Sequence, residues 1–331
     1  MDQELVRLIR LLRGFALNQV IASAVRRDIP SLVAGTTRTG VELAALTGLP
    51  WQRLQPMLVI LADLGIVQME GDGYRGTPAA ELLARGSGRL HGLALMSAES
   101  YYRAWAALDT SLDTGASAFE HVHGMSMWQY LDAHPDVSEQ FAQTMGASAD
   151  LAAQPILEAV EFPAHGTLVD VGGGNGSLVA AILEHHPGLH AQVLELPSQV
   201  RRANERLGGR GLDGRYRVVA GDMFTDIPAG ADLYLFKGVF HNWPDEALTR
   251  MLTPFCAGLR SGARVVVVER AMSDGPMTVD QAINTLTMTL LFGSTDRTVE
   301  EYRALLTAQG LHTRIPDATD PRLDIIEATK E

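Results

Sequence analysis

The chain is organised around residues 167–197, which read TLVDVGGGNGSLVAAILEHHPGLHAQVLELP. The first five residues form a short apolar run typical of a β-strand, and a cluster of glycines follows at 172–176. Apolar residues at helical spacing begin at Leu178, and a second strand pattern covers His190–Leu194 and leads into Glu195. The stretch therefore predicts a strand, a tight loop and a helix, followed by a neighbouring strand with a carboxylate at its tip.

The spacing of the glycines distinguishes two kinds of nucleotide ligand. A dinucleotide fingerprint G-x-G-x-x-G that starts at Gly172 would need glycine at position 177, where Ser177 stands. The pattern present is D-x-G-x-G-x-G, formed by Asp170, Gly172, Gly174 and Gly176. Glycines let backbone N–H groups and a helix N-terminus approach a ligand, and Glu195 is placed to accept hydrogen bonds from both hydroxyls of a ribose. A glycine cluster alone also fits a plain tight turn, but together with Glu195 it predicts a nucleoside-containing cofactor.

Size and charge limit the classes of partner. A chain of 331 residues with 46% hydrophobic composition can bury a full core and is expected to form two domains. The net charge is 27 − 39 = −12, which argues against nucleic acid or an anionic membrane surface as a partner. The ligand is therefore expected to be a small molecule.

Cysteine usage and the first residues indicate the compartment. The single cysteine, Cys256, excludes an internal disulfide framework and fits a reducing cytoplasm. It lies in an apolar helical run, where a buried structural thiol is expected. The opening residues MDQEL are acidic where a signal peptide would be basic, and no apolar run approaches the ~18 residues of a membrane span. These features predict a cytoplasmic protein with no membrane segment.

The first 75 residues have the outline of a winged helix. One apolar helix is predicted over Leu5–Val25, and its many apolar faces suggest burial against a second subunit. Two further helices over Thr39–Leu46 and Trp51–Leu64 precede a hairpin at Ile66–Arg75. DNA binding is the alternative function of such an outline, but the second helix offers only Arg53 against an aspartate. A packing or dimerisation module is the favoured interpretation.

Residues 90–160 are predicted to be helical, with interruptions at Gly115 and at the methionine-rich segment His121–Trp128. His121 and His123 are possible metal ligands, yet Glu120 is the only further candidate ligand at a suitable spacing. Surface or pocket-lining histidines are favoured, and no metal is predicted. Phe141 is expected to open the last helix before the glycine-rich strand.

Five further strand patterns follow, at Tyr216–Ala220, Asp232–Lys237, Ala263–Val268, Leu311–Ile315 and Leu323–Ala328. Strands that alternate with helices predict an α/β fold with a doubly wound parallel sheet, which collects ligands at the carboxyl ends of its strands. Polar residues fall at such ends in five places: Asp170, Glu195, Asp222, His241 and Glu269. We expect these five side chains to lie at one edge of the sheet.

The motifs in this half of the chain are LVDVGGGNGSL, VLELP, AGDMF, LFKGVFHNWPDE, VVVVERAMSD and GSTDRTVEEYRALLTAQGL. Together with the N-terminal outline, they resemble the S-adenosylmethionine-dependent small-molecule O-methyltransferases of plants and bacteria. The resemblance implies a mostly α winged-helix dimerisation domain at 1–105 and a Rossmann-like class I methyltransferase domain at 106–331. Residues 106–160 would form a helical segment that covers the substrate, and the protein would be a homodimer active in secondary metabolism.

The resemblance also implies roles for individual residues. His241 would be the general base, with Glu269 and Asp296 on either side of it. Glu195 would hold the ribose, and Asp222 and Met223 the adenine ring. The full set expected to contact S-adenosylmethionine, or the product S-adenosylhomocysteine, is Asp170, Gly172, Gly174, Gly176, Glu195, Gly221, Asp222, Met223, Phe224, Lys237, Trp243, Met145 and Ser148.

Three departures from the family pattern leave the acceptor atom open. Asn242 stands where the family usually has aspartate, Asp296 is one methylene shorter than the usual glutamate, and residues 285–287 replace an acidic and amide pair. Methylation at carbon or nitrogen, and non-methylating chemistry such as hydroxylation, decarboxylation or pericyclic reactions, therefore remain alternatives. A nicotinamide dehydrogenase is disfavoured by Ser177.

The substrate pocket is expected to be apolar, which suits an aromatic or polyketide-like acceptor. Each apolar candidate fits the hydrophobic core equally well. The candidates are Met125, Met127, Trp128, Phe141, Met145, Phe240, Asn242, Met288, Leu291 and Phe292.

Overall fold

The computed structural model describes residues 3–86, 88–272, 275–316, 320 and 323–331 of the chain. It divides into two compact units. The first unit contains Met1–Arg103 and His134–Thr144, and the second contains Ala104–Ala133 and Met145–Glu331.

The N-terminal part is mostly helical and has one small sheet. In chain order its elements are α1 Gln3–Leu12, α2 Gly14–Arg26, α3 Ile29–Val33, β1 Thr37–Thr39, α4 Gly40–Thr47, α5 Trp51–Asp63, β2 Val67–Glu70, β3 Gly73–Gly76, α6 Pro78–Leu83, α7 His91–Ala98 and α8 Ser100–Trp105. The three strands pair in the order β1-β3-β2 and are antiparallel. Thr39 begins α4 with a capping box, because its side chain accepts from the Glu42 N–H while Glu42 reaches back to the Thr39 N–H.

The apolar stretch predicted as one helix over Leu5–Val25 is two helices. The chain leaves α1 after Leu12, and α2 starts at Gly14, so the two axes are bent by 45°. The prediction was wrong because apolar periodicity does not register a short break. Within the described residues no single helix is long and apolar enough to cross a membrane; the bent pair α1 and α2 reaches the required length and composition only when both helices are taken together.

The middle of the chain is helical from α7 onward. Helix α8 is followed by α9 Leu108–Thr114, α10 Ala118–His123, α11 Met127–Ala133 and α12 Pro135–Ala159. The predicted interruption at His121–Trp128 is shorter than expected, because both histidines belong to α10 and Met127 already opens α11. Phe141 does not open the last helix, which begins at Pro135, a residue suited to a first helical position.

The remaining elements alternate between strands and helices. They are β4 Gly166–Val171, α13 Ser177–His185, β5 Leu189–Glu195, α14 Pro197–Leu207, β6 Tyr216–Ala220, β7 Leu233–Lys237, a 3₁₀ turn Phe240–Asn242, α15 Asp245–Ala257, β8 Arg264–Glu269, α16 Val279–Phe292, α17 Val299–Thr307, β9 His312–Arg314 and β10 Asp324–Thr329. These strands form one sheet in the order β6-β5-β4-β7-β8-β10-β9. The strands from β6 to β8 in this order are parallel, and β10 pairs antiparallel with both of its neighbours. This confirms the α/β fold with a doubly wound sheet.

Alternate residues of the central strands point into two separate cores. Val169 and Phe236 belong to one buried cluster, while Leu168 and Leu235 belong to another on the opposite face of the sheet. Cys256, on α15, is 1% exposed and lies in the first cluster. Since both faces are covered, the polar ends of the parallel strands are left at the carboxyl edge of the sheet.

Candidate active site

The loop between β4 and α13 is shaped by its glycines. Gly172, Gly174 and Gly176 have φ angles of +69°, +58° and +76°, which side chains with a Cβ rarely adopt. A Cβ on Gly173 would lie 2.5 Å from the Asp170 Oδ2 atom, so this glycine is required by a close approach. The loop consequently brings backbone against a buried carboxylate and leads directly into the N-terminus of α13.

Asp170 and Glu195 place two carboxylates at this edge. Asp170 is 2% exposed, and no residue of the described chain hydrogen-bonds its Oδ2 atom. Burial raises the pKa of Asp170 to about 7; the nearby Glu195 charge adds to the rise and Lys237 opposes it. Glu195 accepts from the Gly174 N–H at 2.8 Å and from the Leu196 N–H at 2.9 Å, while burial raises its pKa. The buried Asp170 and the half-buried Glu195 form an acidic site suited to a cationic group and to hydroxyl donors.

Lys237, at the end of β7, faces the same edge. Its Nζ atom donates to the Ser148 Oγ atom on α12 at 3.0 Å. Burial lowers the pKa of Lys237, whereas the charges of Glu269 and Asp170 oppose that effect. Met145, one turn earlier on α12, is exposed. The expected cofactor residues of α12 and β7 are thus brought together at Ser148 and Lys237.

The loop after β6 adds a polar turn and an aromatic corner. The backbone of Gly221 donates to the Glu195 carbonyl at 3.0 Å, and Asp222 caps the turn by accepting from the Phe224 N–H at 2.9 Å. The Phe224 ring meets the Trp243 ring edge to face at 4.7 Å. Met223 is half-buried beside them. Asp222 and Met223, the residues expected to hold the adenine, therefore lie in a turn next to Phe224, whose ring contacts Trp243.

His241 lies in the 3₁₀ turn after β7, beside two buried carboxylates. Its Nδ1 atom is 3.7 Å from Glu269 Oε2 and 3.9 Å from Asp296 Oδ1. None of these three buried atoms has a hydrogen-bond partner within the described residues. The imidazole side chain is 22% exposed, whereas the carboxylates are almost fully enclosed. The resemblance implied these three residues for catalysis, and in the structure the two carboxylates face the same ring nitrogen of the histidine.

Each carboxylate is held by its other oxygen. Glu269 Oε1 accepts from the backbone N–H groups of Val239 and Phe240 at 3.0 and 2.7 Å. Asp296 Oδ2 accepts from Asn284 Nδ2 at 2.7 Å and from Thr285 Oγ1 at 3.0 Å. Burial raises the pKa of Glu269, and the adjacent His241 opposes that rise. With one oxygen fixed in each group, the other is directed at the imidazole.

Four residues around this site were not predicted as members of it. Asn284 and Thr285 fix Asp296, Ser294 Oγ donates to the His241 carbonyl at 2.5 Å, and Arg297 is buried next to the histidine turn. The available signal for Arg297 was its position beside Asp296, directly after residues 281–295, which carry no charge. Asn284 and Thr285 carry no comparable signal, because single polar residues are common on helices.

The predicted pocket residues separate into three groups. Trp128 stacks on Phe292 at 5.3 Å and on Trp243 at 6.2 Å, so these rings form one aromatic wall. Phe240 is fully buried and packs against Phe236 at 5.2 Å, a core position that argues against its lining a pocket.

Met127, Met288 and Leu291 are also buried, while Met125 and Asn242 are partly exposed. Phe141 belongs to the first unit and stays a sequence-based expectation. His123 packs against Phe119 with ring centroids 4.2 Å apart, and no metal-binding cluster is present among the residues that the structure describes.

Comparison with known proteins identifies relatives over the whole chain. A family described as the O-methyltransferase domain matches residues 105–312. The mitomycin biosynthesis 6-O-methyltransferase of Streptomyces lavendulae is 33% identical over 305 residues, covering 91% of this chain and 87% of the relative. The 3-amino-4-hydroxybenzoate 4-O-methyltransferase of Streptomyces cremeus is 34% identical over 308 residues, covering 92% of this chain and 84% of the relative.

Solved structures share the fold and include the expected ligand. The mitomycin 7-O-methyltransferase MmcR has a TM-score of 0.91 and 32% identity, and the alignment covers 98% of this chain and 97% of that one. CalO1, a methyltransferase of calicheamicin biosynthesis solved in its S-adenosylhomocysteine-bound form, has a TM-score of 0.80 and 26% identity over the full length of both chains. The chain belongs to the O-methyltransferase family and is an S-adenosylmethionine-dependent O-methyltransferase.

Proposed function

We propose that the protein methylates an aromatic or polyketide-like hydroxyl of a small secondary metabolite and that His241 is the general base. The observation that carries this proposal is the convergence of Glu269 and Asp296 on His241 Nδ1, with one oxygen of each carboxylate held and the other unpartnered. Two carboxylates at Nδ1 favour the tautomer with the proton on that atom. Nε2 is then the basic nitrogen available to an acceptor.

The residues of the glycine loop and strand ends fit the cofactor. S-adenosylmethionine supplies a methyl group on a sulfonium. The buried, unpartnered Oδ2 atom of Asp170 suits an ammonium group, and the carboxylate of Glu195 suits ribose hydroxyls. Asp222 and Met223, in the turn after β6, suit the adenine, and Gly172 and Gly174 let the backbone approach. We assign cofactor binding to these residues.

A base is needed because the acceptor hydroxyl has to lose its proton. A phenol with pKa ~10 and a histidine with pKa ~6.5 differ by about 5 kcal/mol for complete proton transfer before attack. Removal of the proton during attack avoids that intermediate. Glu269 and Asp296 stabilise the positive charge that develops on the ring of His241 and keep its tautomer fixed. Positioning of the acceptor supplies most of the remaining acceleration.

The class of acceptor is inferred from the aromatic wall. Trp128 stacks on Phe292 and on Trp243, which follows the proposed base by two residues, and such rings favour planar ligands. By their names, the relatives given above are a 6-O-methyltransferase of mitomycin biosynthesis and a 4-O-methyltransferase of 3-amino-4-hydroxybenzoate. Both considerations support an aromatic hydroxyl on a natural-product scaffold.

We further propose that the N-terminal unit is a winged-helix dimerisation module. Helix α1 has no buried residue, and Leu8, Leu11 and Leu12 on it are exposed, as is Phe15 on α2. Exposed apolar surface of this kind marks an interaction site. Light scattering should give the mass of a dimer for the wild type and that of a monomer for Leu8→Glu combined with Leu12→Glu. A monomeric wild type would refute the proposal.

The test of the function combines calorimetry with mass spectrometry. S-adenosylmethionine and S-adenosylhomocysteine should bind by titration, and a panel of phenols and hydroxybenzoates should yield products heavier by one methyl group. His241→Gln should bind the cofactor normally while turnover falls by about 10²- to 10⁴-fold. Cofactor binding without methylation of any hydroxyl would overturn the proposed acceptor. Unimpaired turnover in His241→Gln would overturn the proposed base.

A further inference from the structure

Arg297 is a buried cation that donates hydrogen bonds to the backbone on both sides of His241. It is 4% exposed, and its Nη1 atom donates to the Phe240 carbonyl at 3.2 Å while Nη2 donates to the Trp243 carbonyl at 2.8 Å. Its Nε atom donates to Asp245 Oδ1 at 2.8 Å. The three acceptors lie in the 3₁₀ turn, in the residue directly after it and at the start of α15. One side chain therefore spans the peptide segment that carries the histidine.

The same short segment of chain also supplies contacts to His241 itself. Ser294 Oγ donates to the His241 carbonyl, and Asp296 Oδ1 faces the His241 Nδ1 atom at 3.9 Å. Residues 294–297 thus hold the backbone of the histidine and present a carboxylate to its ring. A displacement of this backbone would change the distance between the ring and both carboxylates.

The backbone contacts of Arg297 and its ion pair with Asp245 differ in their exposure to solvent. Asp245 Oδ1 lies 2.6 Å from Nη2 as well, and its side chain is 74% exposed, so solvent weakens the ion pair although the arginine is buried. The two carbonyl contacts use the same charged donor, one of them buried and the other partly buried, and they act directly on the backbone of the histidine segment. They also need the planar, forked guanidinium, because a lysine ammonium cannot reach two carbonyls three residues apart and the carboxylate together.

We propose that Arg297 is a positioning residue for methyl transfer: it fixes the 3₁₀ turn so that His241 keeps Nδ1 against Glu269 and Asp296 and leaves Nε2 for the acceptor. This proposal rests on the proposed role of His241 as base. Arg297 itself acts through the backbone of the turn and is assigned no contact with the acceptor.

Arg297→Lys tests the proposal because it keeps the charge and removes the fork. Its kcat should fall by about 10- to 100-fold, since small misplacements of a catalytic group have effects of that size. The affinity for S-adenosylmethionine should stay within about twofold, as should the KM for the phenolic probe. Arg303→Lys is the matched control, because Arg303 pairs with Glu300, an exposed residue of its own helix α17. Asp245→Asn isolates the ion pair and should also leave kcat within about twofold.

A readout independent of turnover is the tautomer of His241. In ¹⁵N-histidine-labelled protein, with His241→Gln used to assign the signal, the wild type and the two controls should show the proton on Nδ1. Arg297→Lys should show a mixture of the two tautomers. Should Arg297→Lys prove too unstable, Ser294→Ala removes the contact to the His241 carbonyl alone and should reduce kcat about threefold or more while shifting the same signal.

The outcomes distinguish the two proposals. An Arg297→Lys variant with a lower melting temperature but unchanged kcat and an unchanged histidine signal would overturn the positioning role, as would an effect no larger than that of Asp245→Asn. A fully active His241→Gln protein would instead overturn the general base, whatever the spectrum of Arg297→Lys shows.

Discussion

Replacing Asp170 by asparagine should stabilise the ligand-free protein near pH 8 and weaken cofactor binding at the same time. The carboxylate is 2% exposed and its Oδ2 atom has no partner within the described residues, so its ionised form is poorly solvated in the fold. Asparagine has the same shape without the charge. The same charge is what an ammonium group of the cofactor would need, so stability and binding should change in opposite directions.

The size of the stability effect follows from the pKa of Asp170. The ordinary value is 3.8, and burial raises it to about 7 in the folded protein. Between these two values the folded state holds a proton that the unfolded chain has lost, so stability falls as the pH rises through this window and is constant above it. The loss amounts to about 1 kcal/mol at pH 4.5 and about 4 kcal/mol at pH 8. The Asp170→Asn variant should recover most of it.

Urea unfolding at pH 8 and pH 4.5 measures this difference. Asp170→Asn should be more stable than the wild type by roughly 2–4 kcal/mol at pH 8 and by about 1 kcal/mol or less at pH 4.5. Asp213→Asn removes the same charge from an exposed loop position and should change stability by less than about 0.5 kcal/mol at either pH. Calorimetry at pH 8 should show that Asp170→Asn binds S-adenosylmethionine about 10- to 100-fold more weakly, the loss of a charged hydrogen bond.

Two results would refute this reasoning. A variant less stable than the wild type at pH 8 would mean that the carboxylate is satisfied in the fold. An unchanged cofactor affinity would remove Asp170 from the binding site, even if the stability rose as expected.

Three further substitutions test the site. Glu195→Gln should weaken binding of S-adenosylmethionine by about 1–3 kcal/mol in calorimetry, since it removes the charge from the proposed ribose contacts, and an equal affinity would exclude that role. Glu269→Gln removes a charge 3.7 Å from His241 Nδ1, which would attract a fully protonated imidazole by about 4.5 kcal/mol at an effective dielectric constant of about 20. If the imidazole carries about half of its positive charge at the transition state, the loss of half this energy corresponds to a fall of about 40-fold in kcat. Thr285→Val removes one of the two hydrogen bonds to Asp296 Oδ2 and should lower kcat about fivefold at unchanged cofactor affinity, whereas wild-type turnover would show that Asn284 alone holds the carboxylate.

The ends of the parallel strands were predictable from the sequence. Apolar runs show where two buried strands lie, and their ends are marked by the glycines that follow Val171 and by Glu195, the last residue of β5. Asp170 itself lies inside β4 and is 2% exposed, so its charge does not mark the end of that strand. The glycines after Asp170 mark a turn that only residues without a Cβ adopt readily. These local rules were sufficient to bring the glycine loop, the acidic pair and His241 to one edge of the sheet.

Contacts that depend on the direction of the backbone, or that are made to it, could not be predicted from the sequence in this way. Phe240 and His241 are adjacent, but the 3₁₀ turn sends Phe240 into the core and His241 towards the carboxylates. Apolar character alone cannot distinguish a pocket wall from a core position. Arg297 bonds carbonyl oxygens, which every residue has, so no side-chain pattern identifies its partners. The burial of Phe240 and the partners of Arg297 can therefore be identified only in the folded structure.

The single thiol of the protein offers a way to measure ligand affinity before any acceptor is identified. Burial raises the pKa of Cys256 to about 11, so roughly one thiol in a thousand would be ionised at pH 8 even if it were reachable. Since it lies inside the core cluster beneath the sheet, alkylation has to wait for that part of the fold to open. A ligand that binds only the closed protein slows this opening in proportion to 1 + [L]/Kd. The rate of Cys256 labelling thus reports cofactor affinity in wild-type and mutant proteins without added fluorophores or a methyl acceptor.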